Sequence, residues 1–148
     1  MAFQFSLAVV LRLRESLEKR EERALQSIQL DVSRTLQAIE ELSVAIGGAQ
    51  RARETALRQA ISGGHLHSLL GEEQVAEQGL RSLLGKLQTL EQAREVQMKV
   101  YRAAHRDREM LSDVMEKQKG IYEREWLREE QKRLDDIFMA RRHRVSRR

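Results

Sequence analysis

"AISGGHLHSLLGEE", residues 60–73, sits near the middle of a chain that otherwise reads as helix. Two readings compete for it. His65-Leu66-His67 is either a metal clip or an incidental pair in a segment where one long helix turns back on itself. Ser62, Gly63, Gly64, Ser68 and Gly71 supply the backbone freedom and local hydrogen-bonding groups that a turn uses. On a helix, residues two apart project about 200° from each other, so both imidazoles reach one ion only from an extended segment. Further ligands are lacking there. His105 and His143 fall far along the second arm, and Glu72 and Glu73 suit the start of a helix, where carboxylates complement the macrodipole. The segment is a reversal, and neither a metal nor another cofactor is expected.

Working outward, residues 25–60 carry apolar groups in alternating steps of four and three. The seam runs through Leu25, Ile28, Val32, Leu36 or Thr35, Ile39, Leu42, Ile46, Ala49, Ala56 and Ala60, interrupted by Arg53. A repeat of about 3.5 residues held this long is a coiled-coil seam. Upstream, Leu7, Val10, Leu11, Leu13 and Leu17 make a broader apolar face, and "EKREER" (18–23) offers nothing to bury. The second half mirrors the first, through Leu80, Leu83, Leu87, Leu90, Gln97 or Met98, Tyr101, Ala104, Leu111 and Met115. A mostly polar stretch follows, before Leu134, Ile137 and Phe138 restore an apolar face.

The expected architecture is all-α: a single-domain, antiparallel two-helix coiled-coil hairpin. Its first arm covers about 5–61, its turn 62–71, its second arm 72–140 and a basic tail 141–148. Folding near residue 66 sets position i opposite 132 − i, placing Ile28 near Ala104. Arms of some 55 residues span roughly 80 Å at about 1.5 Å per residue. Gly47-Gly48 is the other candidate turning point, since each glycine costs about 1 kcal/mol against alanine inside a helix. A turn there leaves the arms unequal, so the pair reads as a kink in arm one.

Composition supports the rod. The 148 residues include no proline and no cysteine, 4% are aromatic and 34% are charged. A globular core normally draws on more aromatic and β-branched residues. Regularly spaced apolar groups, 41% of the chain, argue against disorder. Without cysteine there is no disulfide, thiolate nucleophile or Cys-based zinc site, which suits a reducing cytoplasm. "FSLAVVL" is too short for a membrane span and lacks the flanks of a signal peptide. No phosphate-binding loop is present, and alternating Glu, Lys and Arg are solvated helix pairs rather than acid/base dyads. A two-helix rod has no enclosed pocket, so an enzyme is not expected.

The net charge of +4 gathers in "ARRHRVSRR" (140–148). A DNA-reading basic helix ordinarily opens a parallel dimer and carries an Asn, and this chain has none. Nucleic acid is therefore not an expected partner. A coiled-coil dimer or a nucleic-acid-binding accessory using Arg141–Arg148 is the alternative; a monomer in solution separates the hairpin from it.

The two ends carry a resemblance. "FQFSLAVVLRLRESLEKREERAL" resembles the opening of the FliJ family, soluble components of the bacterial flagellar type III export apparatus, through Phe3, Phe5, Leu7, Val10, Leu11, Leu13, Arg14 and Glu15. "EEQKRLDDIFMARR" resembles the family's other end through Gln131, Lys132, Leu134, Asp135 and Asp136. The resemblance implies an antiparallel coiled coil similar to the central stalk of rotary ATPases. It also implies three partners: the hexameric flagellar export ATPase, an export gate membrane protein and export chaperones. The ATPase-facing end would comprise Phe3, Phe5, Leu7, Val10, Leu11, Arg14, Gln131, Lys132, Leu134, Asp135 and Ile137. The hairpin tip, with His65, Leu66, Leu69 and Leu70, would face the gate. Such a protein is cytoplasmic and peripherally bound at the inner membrane; the equivalent stalk of a virulence type III system is the nearest alternative.

Overall fold

The structure, a computed structural model, describes residues 3–145; Ser146, Arg147 and Arg148 of the basic tail lie outside them. Two helices pack against each other as an antiparallel hairpin: α1 (Ala8–Arg58, 51 residues) and α2 (Gly63–Val145, 83 residues). No strand occurs among the described residues. Absence of proline lets the hydrogen-bond ladder run on, and α1 continues through Gly47 and Gly48.

The reversal occupies only residues 59–62, not the expected 62–71, and its mechanism differs from the expected one. No residue, glycine included, has positive φ among the described residues. Gly63, Gly64 and Gly71 are helical. What starts α2 is a cap. Ser62 Oγ accepts the N–H of His65 at 3.2 Å, and Ser62 carbonyl oxygen accepts that of Leu66 at 3.2 Å. A serine three residues before the bonded N–H is the N-cap arrangement, which satisfies a helix-start donor that has no intrahelical partner. At the other side, Gln59 N–H bonds Ala56 carbonyl at 3.1 Å, the three-residue closure that tightens a last turn.

The chain divides into two compact units: a tip unit, Arg20–Arg102, and a terminal unit, Met1–Lys19 with Ala103–Arg148. In the tip unit, Leu42 Cδ2 stands 3.3 Å from where a Cβ on Gly79 would lie. Gln97 Nε2 donates to Glu21 Oε2 at 2.7 Å and to Glu21 carbonyl at 3.1 Å, and Arg53 pairs with Glu73. These contacts bracket the register in which i faces 122 − i, ten lower than the sequence suggested, because the turn is centred near residue 61 rather than 66. Ile28 is therefore level with Arg94, not Ala104.

At that register every a position of one helix meets a d position of the other, the layering of an antiparallel coiled coil. The a/d frame on α1 runs without a break through Leu11, Arg14, Glu18, Glu21, Leu25, Ile28, Val32, Thr35, Ile39, Leu42, Ile46, Ala49, Arg53 and Ala56, each buried or half-buried. It settles the two ambiguous positions. Thr35 is inside, 4% exposed, and its Oγ1 donates to Asp31 carbonyl at 2.8 Å, whereas Leu36 is 48% exposed. On α2, Gln97 takes the d position and Met98 flanks it.

Candidate functional site: the terminal unit

In the terminal unit the seam mixes polar groups with Leu11, Ala104, Leu111 and Met115. Glu18 and Glu21 were expected to bury nothing, yet both occupy seam positions, so the heptad frame continues upstream of Leu25 with charged residues in it. Glu18 reaches across to α2, where Arg108 Nε donates to its Oε2 at 2.6 Å and His105 Nδ1 lies 2.6 Å from its Oε1. His105 Nε2 also sits 3.7 Å from Glu109 Oε2. The Arg108 hydrogen bond, with help from His105, holds the Glu18 carboxyl below its usual range despite partial burial, and Glu18 keeps Arg108 more firmly protonated. In the tip unit, Glu21 is also lowered, first by Gln97 and then by Arg20. Nearer the end, Arg14 Nη1 pairs with Asp107 Oδ2 at 3.1 Å, both half-exposed.

The N-terminal residues named from the sequence fall against the middle of the terminal unit's α2. Phe3 packs on Tyr122 with ring centroids 5.7 Å apart and a 50° tilt, a favourable offset geometry. Phe5 is half-buried, and Leu7 and Val10 are each 39% exposed. Leu11 is 7% exposed; it holds the seam and is not presented outward. Gln131, Lys132, Leu134, Asp135 and Ile137 are all exposed and lie past Tyr122, the nearest about 13 Å farther along the helix.

The expected register already sets Gln131 opposite residue 1, with the second arm overshooting the N-terminus by about a dozen residues; the ten-position change in register lengthens that overshoot. From Glu123 to Arg144 only Glu130 is less than exposed, and no α1 residue stands opposite. That stretch presents Trp126, Leu127, Leu134, Ile137, Phe138 and Met139, each about half-exposed or more. Its last turn carries Arg142, His143 and Arg144, cations that suit a helix C-terminus.

At the tip, His65 is exposed, Leu66 and Leu69 are half-buried on the seam, and Leu70 is 43% exposed. His65 and His67 both lie in the opening turns of α2, on nearly opposite sides of it. Among the described residues no group of three His, Cys, Asp or Glu side chains could hold a metal ion, and no helix is long and apolar enough to cross a membrane. The polar layers Glu18–His105–Arg108 and Arg53–Glu73 escaped the sequence reading. Carrying the heptad frame unbroken through "EKREER" would have found the first.

Two long helices joined by a four-residue reversal, with internally paired seam charges and a helix end rich in uncovered apolar groups, define an all-α helical-hairpin protein. The family profile described as Flagellar FliJ protein matches residues 3–148, and the chain belongs to that family. It is thereby a component of the flagellar type III export apparatus, in a family that is not enzymatic. No curated protein and no solved structure matches the chain.

Proposed function

We propose that the protein is a stalk of the export apparatus. Its terminal unit enters the hexameric ring of the export ATPase, promoting ring assembly and ATP turnover without hydrolysing ATP. Its tip, around His65, Leu66, Leu69 and Leu70, faces the export gate, and export chaperones are further partners. It works from the cytoplasm, peripherally at the inner membrane, and is monomeric when free. One observation carries the reading. In a FliJ-family chain, α2 runs on past the last residue that α1 can cover, leaving Leu134, Ile137 and Phe138 at 59%, 51% and 66% exposure. Apolar groups at helical spacing on an uncovered helix are what a ring lumen or groove would take up.

The division of labour also follows from placement. Leu134, Ile137 and Phe138 would make contact, Gln131, Lys132 and Asp135 would orient it, and Phe3, Phe5, Leu7, Val10 and Arg14 would brace α2 from the N-terminal side. The test is ATP turnover and ring assembly of the cognate export ATPase with and without the chain. Stimulation is expected with wild type and is expected to fall several-fold with Leu134→Ala. An ATPase indifferent to the wild-type chain would sink the proposal; a fully active Leu134→Ala would move the contact elsewhere.

A further inference from the structure

The heptad frame gives the terminal unit two long edges of opposite character. With Leu11 and Arg108 at a positions, Glu18 at a meets His105 at e, and Arg14 at d meets Asp107 at g. These contacts fix which side of the hairpin carries e and b positions and which carries g and c. The e/b edge is charged: Arg12, Glu15, Glu109, Glu116, Lys119 and Glu123 lie along it. The g/c edge is aliphatic on both helices. α1 supplies Val10 and Leu13, 39% and 57% exposed, and α2 supplies Met110, Val114 and Ile121, 66%, 39% and 49% exposed. Leu13 is level with Met110, and Val10 with Val114. Bulky aliphatics stepping by three and four on two neighbouring helices form the ridges between which a third helix seats.

Charge says what sort of helix. Asp107 on this edge is already paired with Arg14. Continuing the edge, Lys117 and Arg124 occupy c positions and Arg128 a g position. Lys117 and Arg128 form no ion pair among the described residues, and Arg124 Nε donates only to Gly120 carbonyl, at 3.1 Å. Past Val114 the aliphatic strip thus has a basic margin, with Asp113 the one acidic side chain beside it. In a two-fold pair of chains this edge would meet itself, bringing basic margins together, so a second copy is the poorer occupant.

We propose that the g/c edge of the terminal unit is a lateral docking site for an amphipathic helix of another protein, one whose apolar face is flanked by Asp and Glu. The site does not rest on ring insertion. Leu13, Met110, Val114 and Ile121 take no part in that reading, so either can fail alone.

A labelled synthetic helix of about four heptads, apolar at three–four spacing with Glu on both flanks, is titrated into the full chain alongside the same peptide with Lys flanks. The Glu peptide is expected to bind at least tenfold tighter, to weaken with salt, and to shift the methyl NMR signals of Met110 and Leu13. Leu13→Glu with Met110→Glu should lower that affinity at least tenfold. Lys117→Glu, at an exposed position, should erase the preference between peptides without touching the fold. Equal binding of the two peptides overturns the proposal, as do shifts confined to Leu134–Phe138. So does a dimer in sedimentation that Leu13→Glu dissociates, since the edge would then belong to a second copy.

Discussion

Within the tip unit the seam buries Leu25, Val32 and Thr35 to 7%, 6% and 4% exposure, and the buried carboxylate Glu73 is paired with Arg53. Within the terminal unit only Leu11 is buried among the described residues, Glu18 and Arg108 occupy further a positions, and large aliphatics lie outside. One heptad frame thus serves two purposes. Where apolar groups occupy a and d, burial holds the helices together. Where carboxylate and guanidinium occupy them, pairing fixes which residues face each other, while the apolar groups moved to c, g and the helix end are left for partners. Polar seam residues cost stability and specify register; the terminal unit shows that trade on the same two helices as the tip unit.

Four changes would break or sharpen that contrast. The largest effect is expected from Leu25→Ala, at about 2–3 kcal/mol in chemical denaturation followed by circular dichroism, at the low end for a core leucine because a two-helix seam can close up. A loss under 1 kcal/mol would mean the tip unit does not rely on apolar burial. Next comes Arg53→Ala, which strands Glu73 at 7% exposure; with Arg53 itself partly solvated, about 1–3 kcal/mol is expected. Arg53→Met combined with Glu73→Leu should recover that loss or more, marking the pair as a register device rather than a source of stability.

Ser62→Ala removes the cap on an opening turn that already contains two glycines, and about 1 kcal/mol is expected, together with faster amide exchange at His65 and Leu66. The smallest effect at neutral pH belongs to Glu18→Gln, and its signature is pH dependence. The folded-state pKa of Glu18 lies below the ordinary 4.5, chiefly through Arg108. Its stabilisation is therefore complete above that ordinary value and disappears as pH falls through the folded one. Wild type should lose stability below about pH 4.5 more steeply than Glu18→Gln. Parallel acid titrations of the two would show that the layer contributes no linked stability.

Much of the fold was legible. Steps of three and four from Leu25 to Ala60, the absence of proline and the Ser/Gly segment at 60–73 suffice for two antiparallel helices. Two things were not. Thr35 and Leu36 compete for one seam position, and hydropathy favours the leucine; only the partner helix decides for threonine, whose hydroxyl is satisfied by Asp31 carbonyl. The turn was placed by a cluster of serines and glycines, for backbone freedom and local hydrogen bonds; this reversal uses no positive φ among the described residues, and of that cluster it is Ser62 whose cap sets the start of α2. That displacement of a few residues changes the pairing total by ten, which carries Gln131–Ile137, already just past Phe3 in the expected register, about ten positions farther beyond it.

The sequence by itself determined that the chain forms two long helices with one seam each, since helical periodicity is a property of neighbouring residues. It also carried the family's marks at both ends. Only the tertiary structure decided the register, because register is a relation between residues on different helices, far apart in sequence, that no local pattern contains. With register came the partners of Glu18, Glu21 and Arg53, the exposure of α2 beyond Tyr122, and the separation of one aliphatic edge from one charged edge.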